Sequence, residues 1–512
     1  MIQALTVLSK LNGTFLPAAA KLVLAPLVLV PLVLLELLIY FAVAVVSLVV
    51  LAAGSPCVAS SEKVKIAEPL VSCGLSKRLR AARASGDRRS MAQALREALT
   101  PDLAGTLQED AEETEAEELS EEVCKTLQSL SAAGATATKV VDTLRESFGE
   151  SCLFLSGGGM LGMYHLGTVR QLFEDGLLPD HICGTSVGSI VGAFVATRTD
   201  NELREEFSNF KEWFRQMGPD EGPFPVPYWE VVVRVLWRGY IYDYMNQYRN
   251  QATFVSAGLT FAEAYERTGR TFTITCTRTC GGPLLLLNRH TAPDVLIASA
   301  ICASSSMPML VQAVRLLEKT ADGVRAWPGA PSLLRDGTMM ADSPCHEMAE
   351  MFNTRWSIIS QVNPHVVPLS LPFLLAKRLR RNGSGVWART LAATETLLRR
   401  CIWTTLHAVQ SWTGLPRRGG WISNLMFQDY FGNVNIIHDE MRFMDYVRVI
   451  KNEISLEDFQ LKALRGAETS ALPLQLHKLR AKVEAALRAA RAASEAPPTA
   501  RRRRPAGRRS RV

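Results

Sequence analysis

Residues 181–197 read HICGTSVGSIVGAFVAT, an apolar segment, a small polar turn and a second apolar segment. The first segment has the length of a strand, and the second has apolar residues at helical spacing. Between them Gly184 and Gly188 flank Ser186, and glycines there permit torsions and close contacts that larger residues would block. The stretch predicts a strand–turn–helix unit with Ser186 at a helix N-terminus, where the positive end of the helix favours an oxyanion. A serine that only caps a helix would produce the same short pattern.

Strands and helices alternate on both sides of this unit, from residue 152 to about residue 360. The segments with strand character are CLFLS, HICGTS, TFTITC, LLLLNRH and WSIISQV. Such alternation predicts a mostly parallel sheet covered by helices on both faces. We therefore assign residues 151–368 to an α/β domain.

Three consecutive glycines follow the first of these strands, in the segment CLFLSGGGMLGMYHLG. Gly157, Gly159 and Gly162 match the GxGxxG pattern of dinucleotide-binding proteins. That site needs an acidic residue at the end of the second strand, and here the second strand leads to Ser186 instead. A P-loop is excluded because no Gly-Lys-Ser/Thr follows. The alternative is an oxyanion hole formed by the main-chain amides of Gly157, Gly158 and Gly159.

A catalytic serine also needs a base, and the segment LLRDGTMMADSP at residues 333–344 supplies two carboxylates. Asp336, followed by Gly337, ends an apolar run in a turn from which it can reach another loop at the same edge of the sheet. Asp342 is the competing acid. Asp-Gly pairs are common in turns, so this segment alone is also compatible with a purely structural role.

In their order and separation, SGGGMLGMYHLG, GTSVGS and DGT resemble the motifs of the patatin-like phospholipases. Further segments, including LTFAEAYERTGRTFTIT and FQDYFGNVNI, are similar to the triacylglycerol lipase branch of that family. The resemblance implies a three-layer α/β fold and a Ser–Asp dyad, with Ser186 as nucleophile and Asp336 as proton acceptor. It also implies that Gly157, Gly158 and Gly159 form the oxyanion hole.

The activity implied by this resemblance is hydrolysis of acyl esters of triacylglycerol or glycerophospholipid, without a metal or an organic cofactor. Phospholipase A activity, acyl transfer to a lysophospholipid and an inactive membrane scaffold remain alternatives. The family pattern gives His165 no catalytic role, so we expect it to pack or hydrogen-bond within its helix. The chain departs from the pattern at Thr338 and in the segment SSSMP.

An apolar run at residues 22–53 contains one charged residue, Glu36. It exceeds the roughly 20 residues that one bilayer crossing requires. It is also longer than the core of a signal peptide, so it predicts a retained membrane segment, either a single span or a hairpin bent at Pro26 and Pro31. Basic residues follow the run more densely than they precede it, which places the remainder of the chain in the cytosol. We expect attachment to the endoplasmic reticulum or to lipid droplets.

The net charge of +7 comes from 57 basic and 50 acidic residues, and the last twelve residues alone contain seven arginines. This tail predicts a solvated arm that touches anionic lipid, and nothing else suggests nucleic acid. The ten cysteines and eight histidines form no metal-binding pattern, since the CTRTC pair at Cys276 and Cys280 lacks a second pair and HEMAE at His346 lacks a second histidine.

These patterns divide the chain into five regions. They are a membrane segment and linker at 1–75, a helical accessory domain at 76–150, the α/β domain at 151–368, a mainly helical region at 369–490 with a basic amphipathic stretch that covers a membrane surface or the site, and a disordered tail at 491–512.

Overall fold

The computed structural model describes residues 70–99, 113–131, 135–209, 233–234, 237–242, 245–363, 366, 428, 430–438 and 456–495. The membrane segment predicted at 22–53, the basic amphipathic stretch after residue 368 and the arginine-rich end of the tail lie outside these residues. Within them, no helix combines the length and the apolar character that a bilayer crossing requires.

The described residues form eleven strands and twelve α-helices. The strands are β1 Glu150–Leu155, β2 His181–Gly184, β3 Tyr240–Tyr242, β4 Thr271–Arg278, β5 Leu285–Leu287, β6 Met309–Val311, β7 Leu317–Thr320, β8 Gly323–Ala326, β9 Leu334–Asp336, β10 Thr354–Gln361 and β11 Val434–Ile437. The helices are α1 Leu70–Ser85, α2 Arg88–Ala98, α3 Glu113–Ser131, α4 Ala135–Phe148, α5 Met163–Glu174, α6 Val187–Ala196, α7 Asp200–Ser208, α8 Met245–Val255, α9 Phe261–Thr268, α10 Ile297–Ser304, α11 Cys345–Phe352 and α12 Leu456–Glu495.

Seven strands form the main sheet in the order β11-β10-β1-β2-β4-β5, with β9 also paired to β4. The five strands from β11 to β4 are parallel, whereas β5 and β9 run antiparallel to β4. The mostly parallel sheet predicted from the sequence is confirmed. The chain continues from β1 to β2 on one side and adds β10 on the other, so the strand order changes direction at β1. Ligands of open α/β sheets bind at the carboxyl ends of strands next to such a point.

Alternate side chains of β1 lie on opposite faces of this sheet and pack against the helices that cover each face, which produces three layers. Leu153 and Leu155 belong to the main core, together with buried residues of α5, α6 and α10. Cys152 and Phe154 belong to a smaller cluster that includes Met348 of α11. Helices therefore cover both faces, as the continuous apolar character of the strands requires.

The helical accessory region and the last helix share one hydrophobic core. Buried side chains of α1, α2, α3 and α4 pack against Val483, Leu487 and Ala490 of α12. Helix α3 begins with the acidic segment ETEAEELSEE, residues 113–122, and its apolar residues Leu119 and Val123 are buried in this core. The two regions that were predicted as separate domains are thus joined by packing between residues more than 300 positions apart in the chain.

Two predicted boundaries differ from the structure. Helix α1 is already helical at Leu70, before residue 76, and α12 continues to Glu495, beyond residue 490. The segment at 491–495 is therefore helical where we predicted disorder. Its residues are mostly good helix formers, and Ser494 is buried, so the helix continues while its neighbours provide packing.

The crossing of α5 and α12 depends on two glycines. A Cβ atom at Gly167 would overlap the carbonyl oxygen of Ala463, and one at Gly466 would overlap that of Tyr164. Main-chain atoms on a packed helix cannot move aside as a flexible side chain can. The absence of a side chain at these positions lets the two helices approach closely.

Gly167→Ala is therefore expected to lower the free energy of unfolding by about 3 kcal/mol, as overpacking against rigid neighbours does. Gly74→Ala in α1 is the matched control, because nothing lies within 4 Å of its added Cβ atom. This control should raise stability by up to about 1 kcal/mol, since alanine is the better helix former. Thermal unfolding of the two variants measures both effects, and equal melting temperatures would contradict the prediction.

Candidate active site

Ser186 occupies a strained turn between β2 and α6. Its φ and ψ are 51° and −123°, outside the regions that side-chain-bearing residues normally occupy, and it takes the position that precedes the first residue of α6. A Cβ atom at Gly188 would overlap the carbonyl oxygen of Leu155, and one at Gly184 would overlap the carbonyl oxygen of Gly188. The two predicted motif glycines therefore allow the close main-chain contacts that form this nucleophile turn, residues 184–188.

Two hydroxyl groups hold the nucleophile turn. The Ser186 amide donates a hydrogen bond to Ser304 Oγ at 2.8 Å. The Thr185 and Thr275 hydroxyls are hydrogen-bonded to each other at 2.6 Å. Sequence reasoning missed the roles of Ser304, Thr185 and Thr275, and the only available signal was the unusual SSSMP segment, which contains Ser304 and Ser306.

Asp336 ends β9 and begins the acid turn, residues 336–339. Its side chain is buried, and Oδ1 accepts a hydrogen bond from the Thr338 amide at 2.9 Å. Its own amide donates to the carbonyl of Ser306 at 3.3 Å. A Cβ atom at Gly337 would overlap the hydroxyl of Thr275, so this glycine lets the acid turn pack on β4.

Thr275 and the end of α10 therefore bring Ser186 and Asp336 to the same edge of the sheet. Thr275 contacts the nucleophile turn through Thr185 and the acid turn through Gly337. The segment at residues 304–306 contacts the main chain of both Ser186 and Asp336.

Burial raises the pKa of Asp336 to about 7, although hydrogen bonding by the Thr338 amide and by the Ser186 hydroxyl opposes this shift. Within the described residues Asp336 Oδ2 is buried and has no hydrogen bond of normal geometry. The Ser186 hydroxyl thus acts on this carboxylate without a well-aligned hydrogen bond, an arrangement common in unliganded sites. A base with a pKa near neutral and an unoccupied oxygen is suited to accept the serine proton.

The glycine turn, residues 157–162, corrects one predicted role. The Gly157 amide donates to Asp342 Oδ1 at 2.8 Å and so is not free for an oxyanion. The amides of Gly158 and Gly159 have no acceptor within the described part of the chain, and both residues have positive φ angles, 154° and 57°. Only these two of the three predicted donors remain available. Sequence reasoning treated the three glycines alike because it could not place Asp342 beside the first of them.

Gly162 brings the glycine turn next to the nucleophile turn. A Cβ atom at Gly162 would overlap the side chain of Val187, the residue that follows Ser186. Gly162 therefore has a packing role, like the last glycine of a GxGxxG segment, which permits close packing of helix and strand.

Asp342, the competing acid, has a different environment from Asp336. Both of its carboxylate oxygens accept hydrogen bonds, from Gly157, Thr338 and Asn363. Burial raises its pKa to about 6. Because its oxygens are occupied, Asp342 is the poorer candidate for taking a proton from Ser186.

His165 is buried and supports the start of the glycine turn. Its Nε2 atom lies 3.0 Å from the Ser156 carbonyl oxygen, and Nδ1 lies 2.8 Å from Ser360 Oγ. Burial lowers its pKa to about 4, so the ring is neutral near pH 7. Ser156 directly follows β1 and Ser360 lies near the end of β10, whereas we expected the partners of His165 within its own helix.

The described residues contain no group of three His, Cys, Asp or Glu side chains arranged to hold a metal ion. Cys276 is buried in β4 and Cys280 is exposed, and both are free thiols. The exposed His346 pairs with Glu350 in its own helix.

The chain resembles known lipid-hydrolase proteins over the region that contains this site. Residues 153–348 match the family model of the patatin-like phospholipases. A patatin-like phospholipase domain-containing protein of Aspergillus niger is 32% identical over 356 residues, which cover 67% of this chain and 46% of that protein. Triacylglycerol lipase SDP1L of Arabidopsis thaliana is 33% identical over 368 residues, which cover 67% of this chain and 42% of the lipase. The chain thus spans less than half the length of these two relatives.

A crystal structure of the type III effector protein ExoU aligns with 62% of this chain and 78% of its own, at 14% identity and a TM-score of 0.19. The family match itself covers the second half of β1 and all of β2, β4 and β9, together with the glycine, nucleophile and acid turns. The resemblance inferred from the sequence motifs is confirmed: the α/β domain of this chain is a patatin-like phospholipase domain.

Proposed function

We propose that the chain is a serine acyl hydrolase that releases fatty acids from neutral lipid, with triacylglycerol as its preferred substrate. One observation carries the proposal: Ser186 lies in a strained turn at a helix N-terminus, on the same sheet edge as Asp336. Asp336 is a buried carboxylate with a pKa near 7, and one of its oxygens has no well-aligned hydrogen bond within the described residues. Ester hydrolysis through an acyl-enzyme requires a nucleophile and a base with these properties. The named activity of the Arabidopsis relative favours triacylglycerol within this chemistry.

In the proposed reaction Asp336 Oδ2 takes the proton of Ser186 Oγ as the oxygen attacks the ester carbonyl carbon. The negative charge on the carbonyl oxygen is stabilised by the amides of Gly158 and Gly159 and by the N-terminus of α6. Collapse of the tetrahedral intermediate breaks the ester bond, and the leaving alcohol takes the proton from Asp336. Water then attacks the acyl-enzyme and gives its proton to Asp336, and collapse of this second intermediate releases the fatty acid while Ser186 Oγ takes that proton back from Asp336.

The proposal includes attachment to a lipid surface. The apolar run at residues 22–53 and the basic residues after it support a membrane segment with the catalytic domain in the cytosol. Triacylglycerol is insoluble in water, so an enzyme held at the endoplasmic reticulum or at a lipid droplet meets its substrate at the interface.

A phospholipase activity is the second candidate, because the matching family model is named for it. The same acyl-enzyme would form from either lipid, and a lysophospholipid hydroxyl in place of water would make the reaction an acyl transfer. The identity of the acyl donor and of the acceptor therefore has to be measured.

The test uses the full chain with emulsified triolein and with phosphatidylcholine vesicles, and it follows the released oleate. We expect release from both, faster from triolein, and none above background with Ser186→Ala. Preference for phosphatidylcholine would favour the phospholipase. Addition of labelled lysophospholipid separates acyl transfer from hydrolysis. If more labelled phospholipid is formed than free oleate is released, the lipase proposal is contradicted.

A further inference from the structure

Asp342 connects the three turns of the site through hydrogen bonds. Its Oδ1 atom accepts from the Gly157 amide at 2.8 Å and from the Thr338 hydroxyl at 3.2 Å. Its Oδ2 atom accepts from the Asn363 side-chain amide at 2.8 Å. Its main-chain carbonyl accepts from the Thr185 hydroxyl at 2.8 Å. One residue therefore contacts the glycine turn, the acid turn and the nucleophile turn.

The main chain of Asp342 is held as well. Its amide donates to the side-chain carbonyl of Gln428, and the side-chain amide of Gln428 donates to the carbonyl of Thr338 at 3.0 Å. Asp342 is thereby fixed with respect to the acid turn from both its side chain and its backbone. This arrangement makes it a rigid support for the Gly157 amide.

The ionised carboxylate is the form that suits this set of donors best. A carboxylate accepts at both oxygens, whereas a protonated carboxyl group presents one O–H donor. The groups that face its oxygens, from Gly157, Thr338 and Asn363, all act as donors. An O–H group on Asp342 that points at the Gly157 amide or at the Asn363 side-chain amide would place a donor against a donor and weaken that bond.

The ionisable groups near Asp342 are acidic. Within the described residues the titratable neighbours that interact with it are Asp336 and Cys183. Neither supplies a positive charge, so neutral donors alone stabilise the buried anion. An uncompensated buried charge is costly, and a purely structural role could be filled by a neutral side chain.

We propose that ionised Asp342 is a positioning residue of the active site. By accepting a hydrogen bond from the Gly157 amide it orients the glycine turn, so that the amides of Gly158 and Gly159 face the oxyanion that forms when Ser186 attacks the ester. The inference rests on the proposed acyl chemistry of the site. It assigns the two buried acids separate tasks, with Asp336 moving the proton and Asp342 holding the oxyanion donors in place.

The proposal requires two ionised carboxylates for one reaction. The rate should therefore fall with the square of the proton concentration at acidic pH, where both acids are protonated. Asp342→Asn keeps the shape of the side chain and removes one titrating group. The rate of this variant should therefore fall only with the first power of the proton concentration. Removal of the Asp342 charge also lowers the pKa of Asp336, since that charge raises it, and the acid limb should move to lower pH.

The experiment measures the rate at which a fluorophosphonate probe labels Ser186, in wild type and in Asp342→Asn, between about pH 4.5 and pH 9. At acidic pH we expect the logarithm of the labelling rate to rise with pH at a slope approaching two for wild type and one for the variant. At pH 8 the labelling rate of the variant should be roughly 10- to 100-fold below that of wild type, the scale of a misplaced catalytic group. Glu484→Gln is the matched control. Glu484 is a partly buried carboxylate with a raised pKa that accepts hydrogen bonds from Ser151 and Arg480 at the opposite end of β1. Its replacement should leave the slope at two.

A second variant keeps the proposal testable if Asp342→Asn folds poorly. Asn363→Ala leaves the carboxylate in place but removes one donor that lowers the pKa of Asp342. The wild-type slope of two should persist in this variant while the acid limb moves to higher pH. The melting temperature at pH 8 identifies misfolding in each case.

A slope of one for wild type, or a variant Asp342→Asn that labels within twofold of wild type at pH 8 with the same slope, would show that the inference is wrong. These results are distinct from failure of the proposed function. Labelling of Ser186 without release of fatty acid from any lipid would contradict the lipase and leave the positioning role supported. An unreactive Ser186 in well-folded wild type would overturn both.

Discussion

Ser186→Ala is expected to reduce kcat/KM for ester hydrolysis by about 10⁴-fold or more, the scale seen when a nucleophile is removed from a serine hydrolase. The alanine lacks the oxygen that forms the acyl-enzyme, and no neighbouring hydroxyl can replace it without leaving the turn. The measurement is fatty acid release from triolein, together with mass spectrometry of the fluorophosphonate-labelled peptide. Ser129→Ala, an exposed helical serine far along the chain, is the matched control and should retain full activity.

The loss of activity should not come from loss of the fold. Ser186 has a φ of 51°, which is strained for any residue with a side chain. Ser186→Gly should therefore raise the free energy of unfolding by about 1 kcal/mol while it abolishes hydrolysis. Activity that survives in either variant, or a melting temperature well below that of wild type, would contradict this account of the nucleophile turn.

Asp336→Asn is expected to lower kcat by roughly 10² to 10⁴-fold, the usual contribution of a general base. Asparagine retains the shape and can still accept the Thr338 amide through its carbonyl oxygen, but it cannot take the proton of Ser186. Asp175→Asn, at the exposed end of α5, is the control and should leave the rate unchanged. A loss of less than tenfold in Asp336→Asn would indicate that another group is the base.

The stability of these variants should depend on pH in a defined direction. The folded protein raises the pKa of Asp336 to about 7, so the protonated form favours folding and this contribution is lost as the pH rises through 7. Asp336→Asn cannot ionise. Its melting temperature should therefore fall less than that of wild type between pH 5 and pH 8. The opposite trend would show that ionised Asp336 is stabilised in the fold.

The two buried acids have a cost in stability that the proposed activity would explain. Asp336 and Asp342 are both fully buried and interact with each other, and burial raises the pKa of both. A site built for stability would avoid a pair of like charges in a low-dielectric interior. Their presence fits a proton acceptor and an anionic support for the oxyanion donors better than it fits a structural role.

Local features of the sequence predicted the elements of the site. The strand before Ser186, the turn with its two glycines and the apolar periodicity of α6 are encoded within residues 181–197. Such a turn can be predicted from the sequence because few residues other than glycine tolerate main-chain contacts like those at Gly184 and Gly188. The alternation of strands and helices likewise predicted the mostly parallel sheet, since each segment carries its own period.

Only the tertiary structure decided which of these elements meet. Gly157 and Asp342 are 185 positions apart. Nothing local to GGG distinguishes an amide that binds a buried carboxylate from the next two amides, for which the described residues provide no acceptor. The contacts of Ser304 with Ser186, and of α12 with the helices before β1, are equally remote in sequence. A chain segment specifies its own backbone through sterics and periodicity, whereas hydrogen-bond partners across the fold depend on how the strands are ordered in the sheet. Sequence alone therefore determined the turns, and the sheet order determined which donor faces which acid.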